Sequence, residues 1–266
     1  MLPQRRQLLR GLGPVAALIG VGAATAGAIA LVNEATSSRV RTSLPSPPDP
    51  AFLVGRPAKL ADPPHRSWWA PVRHRAMAHR APTPSAEPVA LVRRRTPEGT
   101  RNVIQVLGRA HGRSGALWVQ VRLPSGSREM TGWLERGALG GYDFVNTRLI
   151  VDRARLRATL LREGQPIFSA VVGVGQPTSP TPAGEFYVRN RLTRYRSPAY
   201  GPIAFGTSAR SNAVTDWPGG GFVGIHGTDR PELLPGRVSH GCVRMPNRAI
   251  RRLGELMPIG TPISIK

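Results

Sequence analysis

The hydrophobic and polar positions divide the chain into four stretches with different patterns. The first, residues 11–32, holds no charged residue and follows the positive head that Arg5, Arg6 and Arg10 form. A run of this length is long enough to span a bilayer as a helix, although its glycines weaken that helix. The pattern predicts that residues 1–32 are an export signal or a retained membrane anchor and that the rest of the chain lies outside the cytoplasm.

The second stretch, residues 33–86, is rich in proline and arginine. Proline lacks a backbone N–H and favours extended chain, so we expect no packed core here. Its one apolar point is Trp68-Trp69, which could touch a membrane surface, dock on a domain or stay solvated. We predict a disordered linker that separates the N-terminal segment from the folded part.

The third stretch, residues 87–140, alternates short apolar runs with clusters of Gly, Pro and Ser. The strand candidates are residues 89–92, 103–107, 117–123 and 131–134. Alternation within 117–123 is typical of a small antiparallel β module. The run Trp-Val-Gln-Val-Arg-Leu, then a turn and Thr-Gly-Trp-Leu, resembles bacterial SH3-like barrels. Such a barrel would bind a wall polymer or a peptide, or would serve as a packing module for the next domain.

The fourth stretch, residues 146–266, predicts a mainly β domain with one helix. The strand candidates are residues 149–152, 156–161, 168–172, 186–189, 222–225 and 262–265. Apolar residues recur at helical spacing in 247–257, with Asn247 as a candidate N-cap. The strand Phe222–Ile225 runs directly into His226, so a rigid sheet is expected to hold that side chain.

The only cysteine of the chain, Cys242, lies in this last stretch. A lone cysteine cannot form an internal disulfide, which leaves a buried thiol, a metal ligand, an intermolecular disulfide or a nucleophile. Zinc bound by His226, His240 and Cys242 is chemically feasible, but no C-x-x-C or H-x-x-x-H pairing supports it. We therefore expect no metal.

A nucleophilic cysteine needs a base or a cation nearby, because the thiolate is the reactive form. His240 lies two residues before Cys242 and His226 lies sixteen before it (242 − 226). Gly241 allows a close turn whose backbone N–H groups can face a developing oxyanion. Spacing alone leaves either histidine as the base.

These residues resemble a known family. Residues 239–244 (Ser-His-Gly-Cys-Val-Arg), preceded by residues 225–227 (Ile-His-Gly), are similar to the signature of the L,D-transpeptidase catalytic domain of the YkuD type. Residues 178–186 resemble its T-P-x-G-x-F stretch, and residues 199–202 (Ala-Tyr-Gly-Pro) are similar to a further stretch of many members. The resemblance covers residues 146–266 and implies a β-sandwich or barrel-like fold with the cysteine at the lip of a groove.

The resemblance also implies roles for the residues around the cysteine. Cys242 would be the nucleophile and His226 the base, with its other ring nitrogen held by a carbonyl near Gly227. His240 and Gly241 would shape the oxyanion site.

Arg244 stands where some members of the family have Asn. Its guanidinium would take a stem carboxylate bidentately, or would form a structural ion pair. The further candidates for substrate binding are Ser239, Gly227, Tyr200, Gly221 and Phe222.

The reaction that the resemblance implies is acyl transfer on peptidoglycan tetrapeptide stems, with loss of D-Ala and formation of 3→3 cross-links, and it needs no cofactor. The alternatives are an L,D-carboxypeptidase, a non-catalytic wall-binding protein and a cysteine peptidase acting on proteins. The net charge of +22 adds acidic wall polymers and anionic lipid as expected partners. No nucleic-acid-binding motif is recognisable, so nucleic acid is not among them.

Overall fold

The computed structural model describes residues 58–59, 65–195, 197–213 and 220–266. The predicted signal or anchor of residues 1–32 lies outside them, as do residues 33–57 and 60–64 of the predicted linker. No helix within the described ranges is long and apolar enough to cross a bilayer.

The first part of the described chain forms one eight-stranded sheet, which we call the β module. Its strands are β1 (Ala58–Lys59), β2 (Ser67–Pro71), β3 (Ala76–His79), β4 (Pro88–Val92), β5 (Val103–His111), β6 (Leu117–Leu123), β7 (Met130–Glu135) and β8 (Asp143–Val145). The strand order is β4-β3-β7-β6-β5-β2-β8, with β1 paired to β5, and a 3₁₀ turn at Arg136–Ala138 follows β7. Strands β4 to β7 confirm the four predicted strands, while the SH3-like identity of the module stays a prediction.

The linker predicted to reach residue 86 ends earlier, and this is a correction. β2 lies inside the sheet, with Trp68 opposite Val106 on one side and Phe144 on the other. Its proline, Pro71, stands at the last position of the strand, where a missing N–H costs little. Prolines at strand ends therefore made a folded segment resemble a linker, and Trp68-Trp69 belongs to the module.

The second part forms a ten-stranded sheet, which we call the C-terminal domain. Its elements are β9 (Thr147–Asp152), β10 (Arg157–Arg162), β11 (Gln165–Val171), β12 (Gly173–Gly175), β13 (Gly184–Leu192), β14 (Ala204–Arg210), β15 (Phe222–His226), β16 (Gly236–Ser239), β17 (Val243–Arg244), α1 (Asn247–Leu256) and β18 (Pro262–Ile265), with 3₁₀ turns at Pro198–Tyr200 and Pro231–Leu233. The strand order is β11-β10-β9-β18-β13-β14-β15-β17-β12-β16. The predicted fold class, mainly β with one α-helix in the described part, is confirmed.

The core of the C-terminal domain follows the alternation of the sequence. Leu149 and Val151 of β9 face the same side as Ala158 and Leu160 of β10, and all four are fully buried. Helix α1 covers this core with Ile250 and Leu253, which are one turn apart. The helix is thus held to the sheet by its apolar face, as the spacing predicts.

The β module and the C-terminal domain pack against each other. Tyr187 belongs to strand β13, yet its side chain is buried in the core of the module. Ser125 of the module exchanges backbone hydrogen bonds with β14: its N–H donates to the Ser208 carbonyl at 3.1 Å, and the Arg210 N–H donates to its carbonyl at 2.7 Å. These shared contacts make the module a structural support of the domain.

A buried ion pair also joins the two parts. Glu98, in the hairpin after β4, lies 3.1 Å from the Arg189 guanidinium, and both side chains are almost completely buried. Asn190 donates from Nδ2 to the other Glu98 oxygen, also at 3.1 Å. Burial lowers the pKa of Arg189, and the negative charge of Glu98 opposes that effect.

We expect Glu98→Ala to lower the free energy of unfolding by about 3–5 kcal/mol, because it leaves Arg189 buried without its counter-charge. The matched control is Glu87→Ala, which removes the partner of Arg80 from an exposed pair and should change stability little. Urea unfolding of the full chain measures both. Equal effects of the two substitutions would contradict the structural role of the buried pair.

Candidate active site

Cys242 lies beside the strand that carries His226. Strands β15 and β17 are parallel, with Ile225 opposite Val243 and His226 opposite Arg244. The Gly224 N–H donates a hydrogen bond to Cys242 Sγ at 3.3 Å, and the cysteine is buried. The sheet therefore holds the sulfur against β15, two residues from His226, and provides a donor that stabilises negative charge on it.

His226 is fixed by its own strand end. Its Nδ1 lies 2.6 Å from the Gly227 carbonyl oxygen. A carbonyl oxygen only accepts, so Nδ1 carries the proton of the neutral ring and Nε2 is its acceptor nitrogen. The buried ring packs edge-on against Tyr200, with 4.7 Å between ring centroids. This arrangement leaves Nε2 with the lone pair that a general base requires.

The turn before the cysteine is held by Ser239, which is buried. Its hydroxyl donates to the Cys242 carbonyl at 2.6 Å and accepts from the Gly241 N–H at 3.1 Å. Gly241 has a φ of 123°, a conformation that residues with a side chain rarely adopt. The Gly241 N–H is therefore used inside the turn, and Gly241 provides the backbone conformation that precedes the cysteine. Its share in an oxyanion site stays a prediction. The His240 side chain is exposed.

Thr181 is a residue of the site that the sequence analysis missed. It is buried, its Oγ1 accepts from the Gly175 N–H at 2.8 Å, and it donates to the Gly241 carbonyl at 2.9 Å. The threonine lies in the T-P-x-G-x-F stretch, so the resemblance marked the segment. Its contact with a glycine sixty residues away is visible only in the fold.

The loops on the other side of His226 meet at Asn247. Its Oδ1 accepts from the Thr228 N–H at 3.0 Å. A Cβ on either Gly201 or Gly227 would collide with that oxygen, so both glycines are required for the close approach. The predicted N-cap role of Asn247 is wrong: Pro246 holds the cap position, and the Asn247 side chain binds the loop after His226.

Arg244 stands opposite His226 in the parallel ladder and is partly exposed. Its Nε is buried and has no hydrogen-bond partner among the residues that the structure describes. Arg244 also makes no ion pair within those residues, so the structural ion pair considered for it is not seen there. Arg244 is partly exposed, and a guanidinium without a carboxylate partner is suited to an anionic group of a ligand.

Gly221 and Phe222 were predicted as groove residues but lie at the opposite end of β15. Phe222 and His226 are four residue steps apart along an extended strand, which corresponds to about 13 Å. The Phe222 ring packs against the guanidinium carbons of Arg189, at 3.7 Å, and Arg210, at 4.8 Å. Phe222 therefore packs against these arginines at the end of β15 away from His226, while it belongs to the same buried cluster as Cys242.

The predicted site residues thus fall into two groups: those around Cys242 and His226, and the pair Gly221 and Phe222 at the start of β15. The structure brings together Cys242, His226, Gly227, Ser239, Gly241, Arg244 and Tyr200, with His240 exposed next to them. Within the described part of the chain, no group of three or more His, Cys, Asp or Glu side chains is arranged to hold a metal ion.

Comparisons with known proteins agree on the C-terminal domain. A family model described as the L,D-transpeptidase catalytic domain, YkuD, matches residues 146–265. The chain is 35% identical over 123 residues to a protein of Bacillus licheniformis named YkuD and assigned as an L,D-transpeptidase, over 46% of this chain and 67% of that protein. It is 37% identical over 94 residues to YkuD of Bacillus subtilis, over 35% of this chain and 50% of that protein, so it spans about half the length of this relative.

Among solved structures, the chain is similar to the catalytic domain from the L,D-transpeptidase of Enterococcus faecium, determined by NMR. The sequences are 27% identical, the match covers 45% of this chain and 96% of that one, and the TM-score is 0.35.

We expect Thr181→Val to lower the free energy of unfolding by about 1–3 kcal/mol, because the buried Gly175 N–H and Gly241 carbonyl both lose their partner. It should also change the rate at which iodoacetamide alkylates Cys242, since the turn before the cysteine is released. Thr178→Val makes the same chemical change at an exposed position of the same loop and serves as the control. If the two variants unfold and react alike, the Thr181 hydroxyl does not hold the turn.

Proposed function

The chain belongs to the YkuD family of L,D-transpeptidases, and from that premise we propose that it is a cysteine-dependent acyltransferase of peptidoglycan. Its substrate would be the tetrapeptide stem, and its product a 3→3 cross-link. The observation that carries the proposal is the buried Cys242 sulfur on the Gly224 N–H, next to a histidine whose tautomer leaves Nε2 as the acceptor.

In the first step the Cys242 sulfur attacks the carbonyl carbon of the L-to-D amide between the third residue of the stem, a diamino acid, and terminal D-Ala. His226 Nε2 takes the thiol proton and gives it to the leaving nitrogen when the C–N bond breaks. D-Ala departs and a thioester on Cys242 remains. The Gly227 carbonyl stabilises the charged imidazole through Nδ1, as a carboxylate does in other triads.

In the second step an amine from the diamino acid of another stem attacks the thioester. Nε2 of His226 removes a proton from that amine, the C–S bond breaks, and the cysteine is restored as a new amide forms. Water in place of the amine would release a tripeptide, which is carboxypeptidase action. Arg244 is partly exposed and would hold a stem carboxylate with its planar fork.

Two non-transferase alternatives fit the site less well. A wall-binding protein without activity needs no oriented histidine, whereas His226 is held at two places, by Gly227 and by Tyr200. A cysteine peptidase would cleave an all-L peptide, which we expect this chain to leave intact. Because peptidoglycan is outside the cytoplasm, the proposal includes export, directed by the N-terminal segment, and a location in the cell envelope.

The test of the function is mass spectrometry of the full chain incubated with a disaccharide-tetrapeptide that contains diaminopimelate. We expect loss of D-Ala together with a cross-linked dimer. Loss of D-Ala with tripeptide alone would assign the chain as a carboxypeptidase. An unchanged tetrapeptide, in a sample that unfolds cooperatively, would overturn the proposal in favour of the binding protein.

We expect Cys242→Ala to abolish D-Ala release and His226→Ala to slow it at least about a hundredfold, the range for loss of a general base. His240→Ala should have the smaller effect, because that side chain is exposed outside the Ser239 turn. Rates of D-Ala release, with cooperative unfolding checked for each variant, measure this. A larger loss with His240→Ala than with His226→Ala would transfer the base role to His240.

We expect Arg244→Lys to lower kcat/KM about tenfold or more, mainly through KM, since lysine keeps the charge but loses the bidentate fork. Arg248→Lys, at an exposed position of α1, is the matched control. A second test uses a stem substrate in which the carboxylate bound by Arg244 is amidated. With this substrate, kcat/KM of the wild-type chain and of Arg244→Lys should be nearly equal. A difference that persists would show that Arg244 does not read the carboxylate.

A further inference from the structure

A second cationic site lies in the β module, apart from the strands that carry Cys242. Four arginines and the buried Val72 line a cleft of about 470 Å³, which we call the arginine cleft. Its members are Arg73, Arg94, Arg95 and Arg101. All four are exposed, so their guanidinium groups are within reach of a ligand.

Backbone contacts hold the arginine cleft in shape. The Val72 N–H donates to the Asn102 carbonyl at 3.0 Å, and the Asn102 N–H donates to the Arg94 carbonyl at 2.9 Å. Arg95 and Arg101 face each other across an antiparallel bridge. These contacts hold the segments after β2, after β4 and before β5 together. The four arginine side chains are therefore close to each other because of the fold, and not only because the chain is rich in arginine.

The carboxylate nearest to these arginines in the sequence is turned away from them. Glu98 lies in the hairpin between Arg95 and Arg101, but its side chain is buried against Arg189 and Asn190 of the C-terminal domain. Within the described residues, none of the four arginines lies within salt-bridge distance of a carboxylate. Like charges held together without counter-ions repel each other and attract an anion of high charge density.

The donors of the cleft are also largely unused. One guanidinium N–H of Arg95 donates to the Gly99 carbonyl at 2.6 Å, while the side chains of Arg73, Arg94 and Arg101 have no hydrogen bond among the described residues. A guanidinium presents five N–H groups in a planar fork that matches phosphate oxygens. Several such forks around one cleft need a ligand with several oxygen-rich anionic groups at short intervals.

We propose that the arginine cleft binds a linear polymer with closely spaced phosphate groups. A single polymer chain can enter a concave site, whereas a flat bilayer surface cannot. No aromatic side chain lines the cleft, so the anchor that membrane-surface proteins place at the interface is missing from it. The site would tether the β module to a polyanion while the C-terminal domain acts elsewhere, and it does not depend on the activity proposed for Cys242.

The experiment is fluorescence anisotropy of end-labelled linear polyphosphate titrated with the full chain at fixed salt. The double variant Arg94→Gln/Arg101→Gln should raise Kd about tenfold or more, because charge-assisted hydrogen bonds to phosphate are removed. It should also reduce the slope of log K against log salt by about two, one for each phosphate that is no longer neutralised. Neither arginine makes a side-chain hydrogen bond in the described structure, so the fold should be unaffected, which circular dichroism checks.

The matched control is Arg162→Gln/Arg251→Gln, which removes the same charge from exposed arginines of the C-terminal domain. It should change Kd less than about twofold if the binding is local. Equal weakening by both double variants would reduce the interaction to the net charge of +22 and overturn the proposal.

Two competitors test the chemistry of the ligand. Polyglutamate of similar length should compete poorly; equal competition would overturn the preference for phosphate. The arginine cleft should not cause the chain to co-sediment with phosphatidylglycerol vesicles, so any co-sedimentation should be the same for the wild-type chain and for Arg94→Gln/Arg101→Gln. Sedimentation that Arg94→Gln/Arg101→Gln abolishes, together with weak polyphosphate binding, would assign the cleft to a membrane surface instead.

Discussion

The parallel pairing of β15 with β17 is the constraint on which the chemistry of this chain depends. It sets His226 opposite Arg244 and brings the Cys242 sulfur onto the Gly224 N–H. A parallel pair needs a long crossover connection, and residues 227–242, which include β16, provide it. Ile225 and Val243 anchor both strands in the core, so a shift in register would expose them and separate the cysteine from the histidine.

The parallel pairing alone does not fix the cysteine, because the turn before it is not a regular element. Two buried hydroxyls complete the geometry: Ser239 binds the Gly241 N–H and the Cys242 carbonyl, and Thr181 binds the Gly241 carbonyl. A hydroxyl can accept and donate at once, so each of these small buried side chains satisfies two backbone groups. The polar groups of an exposed loop would be satisfied by solvent, whereas those of this turn are satisfied by the protein and keep one conformation.

The sequence predicted most of the fold and the centre of the site, since both depend on local patterns. Alternation identified the long strands of the C-terminal domain, and the Ser-His-Gly-Cys and Ile-His-Gly runs indicated the cysteine and the histidine whose strands pair in the sheet. The errors arose where tertiary contacts override local preference. Prolines at strand ends hid β2 and its tryptophans, and Asn247 looks like a cap until its contact with Thr228 is seen. Phe222 is on the same strand as His226, but strand length takes it to the arginines at the other end.

Glu98 shows how one buried side chain can affect two distant properties. By pairing with Arg189 and Asn190 it ties the β module to the sheet that carries the cysteine. The same contact withdraws a negative charge from the hairpin between Arg95 and Arg101 and leaves the arginine cleft without it. If Glu98 turned outward, it would neutralise part of the charge of the arginine cleft and weaken its attraction for an anion. It would also leave Arg189 buried without its counter-charge, which would destabilise the fold. The orientation of this one side chain therefore contributes both to the junction of module and domain and to the uncompensated charge of the arginine cleft.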